Sequence, residues 1–367
     1  MKADAVGLYV HIPFCVRKCN YCDFCSFPEG SFTGREEYIE RLCREIASYK
    51  DKAITVDTVF FGGGTPSLLS REEFEKIVAH IKSSFKITDS CEFTLEANPG
   101  TLTRDKLLAY ISLGVNRISL GLQSIHENEL KFLGRIHTFE DFLEVYRLVR
   151  ECGISNVNVD LMYGIPEQTL DSFLQTLRTV TALSPEHLSV YGLILEDGTP
   201  LYQLHESLPI PTEDTECDMY YAAARLLSEC GYSHYEISNY ARHGYECRHN
   251  LKYWRCEEYI GVGLSAYSYF GGKRFGNPRD RGEYIAALRG YSEKADEPYE
   301  YVMLALRLAE GFSLEDYKAR FGADFLCGRE KIIKQLEDAE YVKRQNGRLL
   351  LTEKGFYVSN YILTELL

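Results

Sequence analysis

The sequence predicts an α/β protein, a partial (β/α)6 barrel followed by a small, mainly helical, winged-helix-like C-terminal domain. Three observations lead there. At 367 residues the chain exceeds one small core and suits a large α/β domain with an appendage. A short apolar, β-branched run, then a polar or glycine-rich loop, then an amphipathic stretch of helical period recurs along its first half. Strand and helix alternating in this way require parallel strands joined by crossover helices, and six units rather than eight predict an open barrel.

The candidate strands are residues 6–12, 54–62, 92–97, 117–123, 156–164 and 187–195. Between the first two, REEYIERLCREIASYK places Tyr38, Leu42, Ile46 and Tyr49 on one helical face. In SREEFEKIVAHIKSSF, Ser70 and Glu73 form a capping box, and Phe74, Ile77, Val78, Ile81 and Phe85 form the buried stripe. TLDSFLQTLRTVTAL repeats the pattern, with Thr169 as N-cap and Phe173, Leu177 and Val180 inward. The expected division is a barrel core at 1–210, a linking region at 211–297 containing YEISNYA and HNLKYW, and the C-terminal domain at 298–367. That last part reads helix, helix, hairpin, helix, with a capping signal from Ser313 to Asp316 and a turn at Asn346-Gly347.

Composition narrows the function. With 45% apolar and 26% charged residues the chain is globular. No run approaches the roughly 18 apolar residues of a membrane span, and the N-terminus lacks a secretory pattern, so the expected compartment is the cytoplasm. Thiols stay reduced there, so twelve cysteines point to metal or catalysis rather than disulfides. A net charge of -13 disfavours nucleic acid as a partner.

In parallel α/β folds ligands sit at the carboxyl ends of the strands. Here those ends carry the loop of Cys15, Cys19, Cys22 and Cys25, then FFGGGTPS, LEANPG and GLQS. Three thiolates spaced C-x3-C-x2-C suit zinc or an iron-sulfur cluster. Zinc would need a fourth ligand, which Cys25 offers locally. A 4Fe-4S cluster on three cysteines would instead leave one iron open to a chelating molecule.

YVHIPFCVRKCNYCDF resembles the radical S-adenosylmethionine (SAM) signature, and Y-x-H-I-P-F-C is similar to the oxygen-independent coproporphyrinogen III oxidase family and its haem-chaperone branch. GGGTPS, LEANPGT, RISLGLQS, GRIH, NVDLMYGIPEQT, YEISNYA and HNLKYW continue the resemblance over nearly the whole chain. It implies a 4Fe-4S cluster on Cys15, Cys19 and Cys22, with the amino and carboxylate groups of SAM on the fourth iron. Reductive cleavage would then give methionine and a 5'-deoxyadenosyl radical.

The strand-end run Gly62, Gly63, Gly64 and Thr65 allows close backbone approach to the methionine amino group, and by the same resemblance Arg135 pairs with the SAM carboxylate. Glu96, Gln123 and Asp160 match SAM contacts, the latter two at the ribose. Asp160 lies in an apolar run, where a carboxylate is costly unless bonded. Tyr9 and Tyr21 match aromatic positions beside the cluster and SAM, and read equally well as core.

Two departures from the decarboxylating enzyme point to the haem-chaperone branch: a short stretch before Cys15, and Phe24 where that enzyme has a further cysteine. His249-Asn250-Leu251-Lys252-Tyr253-Trp254 resembles the branch's H-N-x-x-Y-W haem motif, with His249 as axial ligand and Tyr253 and Trp254 as flat faces. Outside that context a histidine beside two aromatics reads as a satisfied core cluster. Cys247 and Cys256 flank the motif as further candidate ligands, or as small buried hydrophobes. The implied partners are haem or porphyrin, haem-accepting proteins and an electron donor, in a monomer or a dimer. Anaerobic coproporphyrinogen III oxidation is the alternative, and an electron-transfer iron-sulfur protein without SAM chemistry is a third reading.

Overall fold

All six candidate strands form. The computed structural model describes residues 5–32, 34–287, 290–295 and 297–367. The strands are β1 (Val6–Ile12), β2 (Thr55–Gly63), β3 (Lys86–Ala97), β4 (Arg117–Gln123), β5 (Val157–Tyr163) and β6 (His187–Gly192). They pair in parallel in sequence order, β1 to β6. The crossovers are α1 (Arg35–Ala47), α2 (Arg71–Ser84), α3 (Arg104–Leu113), the pair α4 (Glu127–Leu133) and α5 (Phe139–Glu151), and α6 (Leu170–Ala182). β3 starts six residues before the predicted position, because exposed residues of little apolar alternation pair there with β2.

Ser70 and Glu73 close the expected capping box on α2, and Thr169 caps α6. The outer face of the sheet is apolar. Leu8, Val10, Ile12, Phe61 and Leu95 share one core with the helix stripes. Phe74 of α2 is fully buried, 5.0 Å from Phe61 and 4.3 Å from Tyr110 between ring centroids. Its truncation to alanine would cost about 3–5 kcal/mol.

The inner face is polar: Glu92 and Glu96 on β3, Arg117 and Ser119 on β4, Asn158 and Asp160 on β5, His187 and Ser189 on β6. Asn158 Nδ2 donates to Ser119 Oγ, Asp160 Oδ1 and Ser189 Oγ, and its Oδ1 faces His187 Nδ1 at 2.6 Å. Packing the outside and hydrogen-bonding the inside leaves an interior suited to polar ligands.

The barrel stays open because both edge strands take other partners. α7 (Glu213–Glu229) leads to β7 (Ser233–Glu236) and β8 (Asn239–Ala241), and β8 pairs antiparallel with β6 and with β7. After α8 (Arg248–Trp254), β9 (Tyr259–Val262) pairs in parallel with β1. β10 (Tyr267–Phe270), β11 (Lys273–Gly276) and β12 (Ser292–Lys294) continue antiparallel, giving a twelve-stranded sheet among the described residues.

Past α9 (Arg281–Ile285), the C-terminal part runs α10 (Glu297–Ala305), β13 (Phe312–Ser313), α11 (Leu314–Phe321), α12 (Glu330–Asp338), β14 (Val342–Gln345), β15 (Arg348–Leu351), α13 (Glu353–Tyr357) and α14 (Ser359–Leu366). Its small sheet has the order β13-β15-β14. Ser313 Oγ accepts the Asp316 N–H, and Asn346 and Gly347 turn the hairpin at φ 53° and 72°. A core of Phe312, Phe325, Leu336, Leu349 and Ile362 extends to Tyr220 of α7, docking this part on the barrel. No helix among the described residues is long and apolar enough to cross a membrane.

Candidate functional site at the strand ends

The cysteine loop leaves β1 at its carboxyl end and is fixed at several points. His11 faces the Cys25 carbonyl through Nε2 at 2.8 Å and the Tyr9 hydroxyl through Nδ1 at 3.0 Å. Burial lowers its pKa to about 4, so the ring is neutral: Nε2–H donates to the carbonyl and Nδ1 accepts from Tyr9. Asn20 takes the Leu133 carbonyl through its N–H and the Phe132 carbonyl through Nδ2, tying the loop to the end of α4.

The glycine run zips onto the start of this loop. Gly64 N–H donates to Ile12 O and Thr65 N–H to Phe14 O, each at 2.7 Å. A Cβ on Gly64 would meet the Phe14 carbonyl at 2.6 Å, and one on Gly63, at φ +111°, would strike the His11 ring at 2.5 Å. Only glycine allows that approach.

Arg135 gathers the site. Its Nη1 donates to Cys19 Sγ at 3.5 Å, and its Nη2 to Asn98 Oδ1 at 2.6 Å and to Gly121 O at 2.5 Å. Asn98 Nδ2 donates to Thr65 Oγ1, which donates to Cys15 Sγ at 3.7 Å. One chain of bonds thus runs from the guanidinium to two thiols. Burial raises the Cys15 and Cys22 thiols above the usual range, so these donors matter once the sulfurs are ionised. The Cys25 thiol points elsewhere, 3.6 Å from the Arg279 carbonyl.

Glu96 accepts the Gly63 N–H at 3.2 Å, and its carboxyl is pushed up to about 8 by burial and by the charge of Asp160. Asp160 is also raised by burial despite bonds from Asn158 and Ser119. Gln123 ends β4 in the left-handed region at φ 73° and accepts the Tyr191 hydroxyl. Tyr21 packs with Leu133, Met162 and Ile165, and is influenced by the charges of Arg135 and Asp160.

The structure therefore brings together Tyr9, Cys15, Cys19, Tyr21, Cys22, Gly63, Gly64, Thr65, Glu96, Gln123, Arg135 and Asp160. Sequence reading missed Asn98, His11 and His137. Asn98 stood one residue beyond a strand end and His11 two after Tyr9 on the same strand face, and both positions were available signals. His137 is buried with Nε2 facing Leu122 O at 3.2 Å, fixing the segment that carries Arg135.

The HNLKYW residues lie at the opposite end. α8 closes the amino end of the barrel, where Glu92 accepts the N–H groups of Arg248 and His249, both at 3.0 Å. His249 is 1% exposed. Its Nδ1 meets Thr58 Oγ1 and its Nε2 the Tyr253 hydroxyl, each at 2.8 Å, and its ring stacks on Phe60 at 5.2 Å. Asn250 sits half-buried on the same helix. The Trp254 ring lies under Arg307, with its buried Nε1 beside the Glu236 carboxyl.

Residues 9–180 match the radical SAM superfamily and residues 293–358 the HemN C-terminal domain. Fold and site thus define a radical SAM protein, whose domain implies a 4Fe-4S cluster and SAM as cofactors. The chain is 37% identical over 383 residues to the haem chaperone HemW of Escherichia coli, covering 99% of this chain and 98% of that one. It is 34% identical over 377 residues to the haem chaperone HemW of Haemophilus influenzae, covering 96% and 97%. It belongs to the HemW family. The coproporphyrinogen III oxidase HemN of Escherichia coli shares the fold, at a TM-score of 0.86 and 21% identity over 99% of this chain and 90% of that one.

The residues present fit both cofactors. Two thiols of one loop receive hydrogen bonds and the third lies beside them. The buried, unbonded Nε of Arg135 suits a carboxylate, and the Arg117 charge and the Gly63 N–H offset only part of the burial of Glu96, whose carboxyl suits a cation such as SAM carries.

Proposed function

We propose that this chain is a haem-binding radical SAM protein that delivers haem to acceptor proteins. Cys15, Cys19 and Cys22 would hold the 4Fe-4S cluster. Arg135 would receive the SAM carboxylate, with Tyr9, Tyr21, Gly63, Gly64, Thr65, Glu96, Gln123 and Asp160 completing that site. When bound, the pair supplies reductive cleavage of the SAM sulfonium, given an electron donor. The protein's own part is to orient and to shield. Thr65 and Arg135 stabilise thiolate sulfur, while Glu96 ionises as a cation arrives and Asp160 accepts hydroxyls.

The observation that carries the haem reading is the end-to-end relationship to proteins named as haem chaperones, at 33–37% identity over 96–99% of this chain. Coproporphyrinogen III oxidation is the second reading, favoured by the shared fold. Incubation of reconstituted, reduced protein with SAM and coproporphyrinogen III, beside an active oxidase, separates the two. We expect hemin binding and transfer to an apo-acceptor without divinyl product; formation of protoporphyrinogen would overturn the chaperone reading.

A further inference from the structure

Asp160 is held by a chain of hydrogen bonds whose direction is fixed at every link. Asn158 and His187 are cross-strand partners on β5 and β6, 2% and 1% exposed. Asn158 Nδ2 lies 2.7 Å from Asp160 Oδ1. A carboxylate only accepts, so the amide nitrogen faces it and Asn158 Oδ1 is left for His187 Nδ1 at 2.6 Å. That oxygen accepts as well, so the hydrogen sits on Nδ1. Burial lowers the His187 pKa well below its usual value and the Arg117 charge lowers it further, so the ring is neutral and Nε2 is bare. The Tyr235 hydroxyl, 2.8 Å away, therefore donates to Nε2, and its oxygen accepts the Cys247 N–H at 3.1 Å.

The tautomer decides what Asp160 meets. With its hydrogen on Nε2, the ring would draw the Asn158 amide nitrogen to Nδ1 and turn the Asn158 carbonyl toward the carboxylate, setting two acceptors face to face. As the chain is folded, Asp160 Oδ1 takes Asn158 and Oδ2 takes Ser119 Oγ at 3.3 Å. Burial raises Asp160, and bonds from Ser189, Asn158 and Ser119 with the Arg117 charge pull it back toward the ionised form. Both oxygens keep lone pairs for a vicinal pair of hydroxyls.

We infer that His187 and Tyr235 are positioning residues for Asp160: the Tyr235 hydroxyl supports the Nδ1–H tautomer of His187, which orients the Asn158 amide and so holds the carboxylate for the ribose hydroxyls of SAM. The inference rests on the assignment of Asp160 to the ribose above and deepens it. Tyr235 opens the YEISNYA motif on edge strand β7, and Cys247 is the N-cap of α8. Both segments lie far along the chain from the strand-end loops, and this chain of bonds gives them a part in the SAM site.

Two measurements on the full-length protein test it. In heteronuclear spectra of ligand-free protein labelled at the histidine nitrogens, one neutral ring should be protonated at Nδ1 and vanish in His187→Asn. Its Nε2 resonance should shift in Tyr235→Phe, where the donor is lost. A His187 ring found as Nε2–H, or unmoved in Tyr235→Phe, overturns the inference whatever SAM does. After cluster reconstitution, calorimetry should give a SAM affinity about tenfold weaker in His187→Leu and about threefold weaker in Tyr235→Phe. His187→Asn should restore it, since its Nδ2 can donate in place of Nδ1. Methionine, which has the amino and carboxylate groups without the ribose, should bind all of them alike, read by electron paramagnetic resonance of the reduced cluster. Unchanged SAM affinity in His187→Leu, or equal weakening for SAM and methionine, overturns the positioning role alone. Asp160→Asn should weaken SAM at least as much as His187→Leu; wild-type affinity there overturns the ribose assignment itself.

Discussion

The two ends of the barrel are built from similar residues to opposite effect. At the amino end a carboxylate, a histidine and a tyrosine satisfy one another: Glu92 takes two helix N–H groups, and His249 spends both nitrogens on Thr58 and Tyr253. At the carboxyl end the same chemistry is left incomplete. Glu96 stays raised by burial and by Asp160 despite the Gly63 N–H and the Arg117 charge, Arg135 Nε is unbonded, and Gln123 holds a left-handed backbone. A completed polar network is a structural plug; an incomplete one in a buried site awaits a ligand.

The sharpest attempt to break this comparison is at the cysteines. Changing Cys15, Cys19 or Cys22 to Ser should abolish the cluster's visible absorbance after reconstitution, whereas Cys25→Ser should keep it, since that loop position acts through its carbonyl on His11. Equal loss in all four variants would erase the distinction drawn within the loop.

At the floor, His249→Ala should cost about 3 kcal/mol in urea unfolding, because it leaves a cavity and unbonded Thr58 and Tyr253 hydroxyls. Acid should act in the same place. His249 is neutral in the fold at a pKa of about 3 against 6.5 ordinarily. The folded state binds fewer protons, so stability falls as pH drops below 6.5, by about 2 kcal/mol at pH 5 from this group. His249→Gln should remove that part of the acid sensitivity, measured as melting temperature against pH.

Glu96 predicts the opposite sign. Its folded pKa of about 8 exceeds the usual 4.5, so ligand-free protein should lose stability as pH rises from about 4.5 to 8. Glu96→Gln should raise the melting temperature at pH 8 and leave it unchanged at pH 4, while weakening SAM binding by calorimetry. Identical pH profiles for the two floor and rim variants would show that the ends do not differ as described. The smallest effect is expected at Asn98→Ala: about 1 kcal/mol of stability from the bonds to Thr65 and Arg135, with looser SAM binding.

Much of this was legible in the sequence. The six strands, the caps at Ser70, Thr169 and Ser313, and the placement of chemistry at the strand ends follow from local period and from the handedness of βαβ units. The sheet edges were not legible. β7, β8 and β10 to β12 are short, and the pairings that attach these edges, β8 to β6 and β9 to β1, join segments distant in the chain. Asn98 was missed because an asparagine after a strand reads as a turn former until Arg135 and Thr65 are seen on either side of it.

The sequence by itself determined the alternation of strand and helix, the three-cysteine spacing and the family, because each is a local pattern or an ordered set of blocks. Only the tertiary structure decided that HNLKYW closes the opposite, amino end of the barrel. HNLKYW reads as a haem motif or as a core cluster while it is a string of residues, and in the fold its histidine is spent on partners 191 and 4 residues away. Whether a polar group is free for a ligand depends on what the folded chain brings against it, and spacing along the chain does not carry that information.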